Sequence, residues 1–187
     1  AMDPYTGRVL GMVSIPQYNL SMFNDGKVDP TLWNQVLEGE NPLLNRAIGT
    51  KDAPGSIFKL CTALGGLSEG VITTDEIIND RAEGFTETNA DRPAKCWTST
   101  PEDHQNQNLE KALKNSCNMY FYTVGYRLGI ERLYQWAAAL GLPSKTNIEL
   151  PGEATSFVGN QNMLYDPENS PTWQNTAKPL LTYTAMK

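Results

Sequence analysis

The segment 57–67, Ile57-Phe58-Lys59-Leu60-Cys61-Thr62-Ala63-Leu64-Gly65-Gly66-Leu67, is apolar around nearly the whole circumference of a helix. Such a helix has no solvent face, so it is stable only when buried on most sides. The rest of the chain must supply the body that buries it. At 187 residues and 40% hydrophobic, the chain is long enough for one domain, or for part of a larger one, with a real core. Pro54-Gly55 turns the backbone sharply into the segment and Gly70 ends it.

The flanking sequence supplies further elements. Asp3-Pro4-Tyr5-Thr6-Gly7 is a turn, since Pro sets φ and Gly accepts a positive φ. The β-prone run 8–14 after it predicts a strand, and with Ala1 and Met2 the end of a hairpin. Asp29 caps a short helix with Pro30 at its first position, running to about Leu37 before Gly39. A loop is expected over 41–55 and irregular structure over 80–107. Helical stretches follow at 109–113, 119–128 and 130–140, with Gly129 and Gly141 as stops. A loop over 160–176 and the start of another helix over 179–186 complete the reading.

The charge balance excludes some partners. Against 21 Asp and Glu stand 15 Lys and Arg, a net charge of −6. Nucleic-acid binding wants a basic face, and a membrane-surface role wants a polybasic one. No run approaches the roughly 18 apolar residues that span a bilayer, and no secretory signal opens the sequence. Any anchor or export signal is therefore expected upstream. Cys61, Cys96 and Cys117 are far apart and form no C-x-x-C pair. They read as three free thiols, the other reading being one disulfide and one thiol. His104 is the only histidine, and nothing is spaced around it as zinc ligands, so no metal is expected.

Pro54-Gly55-Ser56-Ile57-Phe58-Lys59 is the sharpest chemical feature. Lys59 lies one helical turn beyond Ser56 on the same face. In an apolar helix its ammonium is partly desolvated, which lowers its pKa and frees the neutral amine to act as a base. Ser56 sits where unpaired backbone N–H groups favour negative charge, so its own N–H can serve an oxyanion hole. The same residues also suit a serine N-cap and a lysine that snorkels off the helix. Ser116-Cys117-Asn118 falls in a tight link between helical stretches. Alternate residues there can point the same way, a hydroxyl to relay a proton and an amide to hold a carbonyl. A plain helix linker with a cap at Asn115 or Ser116 is the simpler account of that motif alone.

Together the S-x-x-K and S-x-N elements resemble the signature of the penicillin-binding proteins. The opening 2–14, Leu44-Asn45-Arg46-Ala47 before Ser56, Phe121-Tyr122 after Asn118, and Thr146-Asn147-Ile148-Glu149-Leu150-Pro151-Gly152-Glu153 are similar to segments of the family's transpeptidase domain, in order. The resemblance covers about residues 1–157. Ile15-Pro16-Gln17-Tyr18-Asn19 resembles the monofunctional class B branch. The family's third motif, K-T-G, is absent; Lys145-Thr146-Asn147 belongs to a different segment. The resemblance thus implies that residues 1–187 are a partial transpeptidase domain, truncated before the K-T-G strand. The implied fold is α+β, a helix-rich lobe with the first hairpin of an antiparallel sheet.

The resemblance also implies a chemistry. Ser56 attacks the carbonyl of a D-Ala–D-Ala stem peptide of peptidoglycan, and Lys59 takes its proton. Ser116 relays a proton to the leaving D-Ala, and Asn118 holds the donor amide. A second stem's amine then resolves the acyl-enzyme into a cross-link. β-Lactams acylate Ser56 and stall, and no cofactor is needed. The expected setting is extracytoplasmic, anchored through a segment outside this chain, with membrane-bound cell-wall synthesis partners. The competing readings are a serine β-lactamase or β-lactam sensor, and a non-catalytic interaction module of the same fold. Spacing and pairing predict that Lys59 Nζ and Ser116 Oγ both lie within hydrogen-bond reach of Ser56 Oγ.

Overall fold

The computed structural model describes residues 1–87 and 92–160. The expected loop beyond residue 160 and the expected helix at 179–186 lie outside the described residues. The described residues divide into two compact units, Ala1–Asp52 with Lys145–Ser156, and Ala53–Ser144 with residues 157–160.

In the first unit the opening turn closes on Asp3. Its carboxylate accepts from Tyr5 N at 2.9 Å and Thr6 Oγ1 at 2.6 Å, and these bonds hold it below the usual carboxylate range. Gly7, at φ +71°, returns its N–H to the Asp3 carbonyl. Met2 and Val9 then pair in a single antiparallel bridge. The strand expected over 8–14 does not form: Ala1 O accepts from Leu10 N at 2.9 Å and Gly11 N at 3.3 Å and the Ala1 ammonium donates to Gly11 O at 2.7 Å, but residues 12–14 make no backbone–backbone hydrogen bond among the described residues. A strand without a neighbour cannot satisfy its backbone, and Leu10 and Val13 stand exposed. Among the described residues there are only isolated bridges, so the hairpin of the expected α+β fold is reduced to this one.

Helix α1, Pro30–Glu38, begins as its sequence predicts. Asp29 Oδ1 accepts from Thr31 N at 2.8 Å and Leu32 N at 3.2 Å, and Gly39 stands at its end. A second, short helix, α2 at Arg46–Gly49, interrupts the loop expected over 41–55. Asn45 caps it, and Ser14 Oγ brackets its entry by donating to Leu44 O and accepting from Arg46 N, both at 3.0 Å. In the same unit Glu153 gathers Thr146 N, Thr146 Oγ1 and Asn147 N into a closed loop, which holds its carboxyl below the ordinary range. Lys145-Thr146-Asn147 thus belongs to a carboxylate-closed loop and not to a strand.

The second unit is built on three helices: α3 at Phe58–Ser68, α4 at Leu109–Lys114 and α5 at Asn118–Ala139. Gly129, at φ 73° and ψ 161°, breaks α5 into two helical runs. The core is Ala63 and Ile72 with Phe85, Leu109, Ala112, Cys117, Met119, Tyr120, Phe121, Val124 and Leu128. Two consecutive glycines let α3 lie close on α5: a Cβ on Gly65 would stand 3.0 Å from Trp136, and one on Gly66 would stand 2.7 Å from Val124 Cγ1. The expectation that α3 is buried all round is not met. Cys61, Thr62, Ala63, Gly65 and Gly66 are buried, while Ile57, Leu60, Leu64 and Leu67 are exposed. The described residues cover one face only. Of the irregular region, Phe85 joins the core and Ala94 and Cys96 pack against it, with antiparallel bridges at Ile78–Gln107 and Phe85–Ala94.

The helix contact makes a paired prediction. Gly66→Ala should destabilise the second unit by roughly 1–3 kcal/mol, because Val124 and Ile72 must move to admit the methyl. Gly125→Ala has nothing within 4 Å of its new Cβ and should stabilise by up to about 1 kcal/mol through helix propensity. Denaturant unfolding of both variants checks the pair. Equal effects would show that α3 and α5 do not meet at Gly66.

Candidate active site

Ser56 stands in the single 3-10 turn Gly55–Ile57 that leads into α3, and Gly55 enters it at φ +55°. Positive φ there is the reason for a glycine before the serine. One turn later Lys59 projects from α3 on the same side. Ser116 comes from the junction of α4 and α5, where it holds φ +51°, unusual for a residue with a Cβ. Bonds from Ser116 N to Leu113 O and from Cys117 N to Ala112 O fix it there, closing the end of α4. The cost of such a conformation, of order 1–3 kcal/mol, is borne by the surrounding packing. Asn118 follows as the first residue of α5.

The four predicted residues meet. Ser56 Oγ and Ser116 Oγ share a hydrogen bond of 2.7 Å. Lys59 Nζ donates to Ser116 Oγ at 2.9 Å, Ser116 O at 2.7 Å and Asn118 Oδ1 at 2.7 Å. Those three bonds use all three ammonium protons. No hydrogen bond joins Lys59 directly to Ser56, so the expectation that both partners reach Ser56 Oγ holds for Ser116 alone. The link from Ser56 to Lys59 runs through the Ser116 hydroxyl.

Electrostatics favour a proton path along that line. Burial lowers the Lys59 pKa, opposed in part by the Cys96 and Cys117 thiols. When Lys59 is neutral it has two protons and one lone pair. Of its three partners, only Ser116 Oγ carries a proton to give it. The carbonyl of Ser116 and the amide oxygen of Asn118 can only accept. The geometry therefore allows Ser56 to pass its proton to Ser116 while Ser116 passes its own to Lys59. The Asn118 oxygen is taken by Lys59, which leaves its Nδ2 as a donor. A cavity of about 520 Å³ lies beside Lys59 and Asn118, and Phe58, Phe85, Phe121, Tyr122, Tyr126 and Leu133 are among the residues that line it.

Other residues around the site are not signalled by the sequence. Trp97 Nε1 donates to the carbonyls of Asn115 and Ser116, each at 3.2 Å, and so pins the junction from outside. Cys96 Sγ accepts the N–H of Asn118 at 3.2 Å, at the head of α5. All three cysteines are free thiols, as read from the sequence, but two of them stand close together. Cys96 Sγ, Cys117 Sγ and a ring nitrogen of His104 lie within 4.8 Å of one another. Asp80 Oδ2 stands 4.0 Å from His104 Nδ1. These are the donor types of a thiophilic divalent cation such as zinc, so the expectation that nothing is placed around His104 as ligands fails. Spacing of 96, 104 and 117 conceals the cluster, because the α4–α5 junction folds back on the 92–107 segment. Burial of Cys117, aided by its neighbours Cys96 and Asp80 and opposed by the Tyr120 N–H, pushes its thiol pKa up to about 11.

Comparisons with known proteins identify the family. The family described as "Penicillin binding protein transpeptidase domain" matches residues 1–184. The peptidoglycan D,D-transpeptidase MrdA of Acinetobacter baumannii is 32% identical over 162 residues, which are 86% of this chain and 23% of that protein. The solved structure of Pseudomonas aeruginosa PBP2 in complex with WCK 5153 superposes with a TM-score of 0.77 at 26% identity, over 99% of this chain and 40% of that one. Penicillin-binding protein A from M. tuberculosis, solved as its penicillin G acyl-enzyme complex, gives 0.73 at 29% identity, over 84% of this chain and 37% of that one. The chain thus spans well under half the length of these relatives. On the family match, on the relative covered across most of this chain, and on the shared fold, the chain belongs to the penicillin-binding protein transpeptidase family.

Proposed function

We propose that this chain carries the acylation machinery of a peptidoglycan D,D-transpeptidase, with Ser56 as nucleophile. The observation that carries the reading is the continuous bond path from Ser56 Oγ through Ser116 Oγ to Lys59 Nζ. Ser56 Oγ attacks the penultimate carbonyl of a D-Ala–D-Ala stem. Its proton moves to Ser116, and the Ser116 proton moves to neutral Lys59. As the tetrahedral intermediate collapses, Ser116 returns a proton to the departing D-Ala amine, resupplied by Lys59. The amine of a second stem then takes the acyl group and forms the cross-link. Asn118 Nδ2 holds the donor stem's amide carbonyl. β-Lactams enter by the same path and stay on Ser56.

The wider protein follows the same reading: an antiparallel sheet, an extracytoplasmic site, and cell-wall synthesis partners at the membrane. Among the described residues no helix is long and apolar enough to cross a membrane. A β-lactamase or sensor role is less well supported, because the relative above carries the transpeptidase name and the opening and class B-like segments match that branch. The 187 residues hold no K-T-G. In the family that motif supplies the second oxyanion donor and a cationic contact for the substrate carboxylate.

Two outcomes test this. A penicillin should acylate Ser56 in a protein that joins this chain to a downstream K-T-G strand. Labelling of the 187-residue chain should be slower by on the order of 10²–10³, the effect of losing one oxyanion donor. Mass spectrometry of the labelled peptide reads both, and Ser56→Ala should remove the label from each. Label that survives Ser56→Ala assigns the nucleophile elsewhere. The second outcome is a pH profile. The base is the free amine, so acylation rises with pH as Lys59 loses its proton. Because burial lowers that pKa, the rise should be centred below the ordinary lysine value of about 10.4. Lys59→Met should flatten the profile and cut the rate by about 10²–10⁴; an unchanged profile in that variant assigns the base elsewhere.

A further inference from the structure

Ser116 is held in a backbone conformation that it does not favour. Its φ of +51° is left-handed, a region that residues with a Cβ seldom occupy. The turn brings the successive carbonyls of Asn115 and Ser116 onto one donor, the indole N–H of Trp97, at 3.2 Å each. Asn115 caps the end of α4, where carbonyls have no partner inside the helix. The Ser116 carbonyl has two lone pairs, and Lys59 Nζ takes one of them at 2.7 Å. Trp97 takes the other.

Packing does not account for a tryptophan at this place. Trp97 is 66% exposed, so burial of its ring contributes little. The ring meets His104 edge-on, with centroids 5.4 Å apart, and a phenylalanine could keep that contact. What the indole alone brings is the N–H.

We propose that Trp97 is a positioning residue of acylation: its indole N–H, bonded to Asn115 O and Ser116 O, fixes the Ser116 turn and so keeps the Ser116 hydroxyl between Ser56 Oγ and Lys59 Nζ. The assignment deepens the transpeptidase reading above and rests on it. Trp97 acts through Ser116 and not on the reacting atoms. The Lys59 bonds leave one motion open. Two of them end on Ser116, at O and Oγ, and the long lysine stem can follow a tilt of the junction. Ser56 Oγ, set in the 3-10 turn before α3, cannot follow it, so the 2.7 Å bond from Ser56 to Ser116 is the one that breaks. A second donor on the same carbonyl, carried by the separate 92–107 segment, opposes that tilt.

The test is a double-mutant cycle on penicillin acylation, run in the protein that joins this chain to a downstream K-T-G strand, with amide exchange of the 187-residue chain beside it. Trp97→Phe removes the N–H and keeps a ring. It should lower the acylation rate constant by about tenfold or more, as misplacement of a reacting group does. Affinity of the preceding non-covalent complex should change by less than about twofold, because the loss falls on the transition state. Ser116→Ala should slow the same step. Adding Trp97→Phe to Ser116→Ala should then cost less than about a further twofold, since no relay is left to position. In the 187-residue chain, Trp97→Phe should speed amide exchange at Ser116 and Cys117 by about two- to tenfold, the worth of one hydrogen bond. Exchange across 120–124 in α5 should stay the same, which separates a loosened turn from a loosened fold. A tenfold cost that persists in Ser116→Ala, an acylation rate unchanged by Trp97→Phe, or unchanged exchange at 116–117 overturns the proposal. An unsubstituted long protein that takes no label overturns the transpeptidase reading and this assignment with it, whereas any of the three results just named in a protein that does label overturns this assignment alone.

Discussion

The three hydrogen bonds of the Lys59 ammonium join α3 to the α4–α5 junction, and the rest of the site depends on them. They tie a residue of the nucleophile's own helix to Ser116 and Asn118, which lie far away in sequence. The backbone supports that arrangement at two points. Gly65 and Gly66 let α3 approach α5 closely enough for the lysine stem to reach across. Ser116 holds a left-handed backbone, which turns its hydroxyl toward Ser56 while its carbonyl stays with Lys59. If either support fails, the nucleophile and its relay separate.

The same three bonds also resist the chemistry they set up. An ammonium with every proton donated is well solvated by the protein, which favours the charged form. Burial acts the other way and wins, so the pKa falls below the ordinary value. The lone pair of the neutral amine has one proton-bearing partner, the Ser116 hydroxyl, and the direction of proton flow follows from that alone.

What the sequence reveals follows its physical range. Ser56 and Lys59 are legible because one helical turn places them together, and Ser116 and Asn118 because their motif sits in a short link. Asp29 and Pro30 announce α1 through local capping chemistry. The strand over 8–14 is misread because β-prone residues form a strand only beside a partner, and Ala1 and Met2 pair only with its first residues. Helix α2 is four residues long, too short for any hydrophobic period to mark it. The routing of Lys59 to Ser56 through Ser116, Trp97 at the junction, and the Cys96–His104–Cys117 cluster all turn on how separate segments meet. Residue spacing holds no information about such meetings.

The account turns on Lys59 as the base reached through Ser116. The most direct measurement is a ¹³C NMR titration of the Lys59 side chain, assigned by Lys59→Arg and repeated in Ser116→Ala. The account predicts a Lys59 pKa below the ordinary lysine value in the unsubstituted chain and a clear change when the Ser116 hydroxyl is removed. A pKa at or above the ordinary value, unmoved by Ser116→Ala, would contradict it.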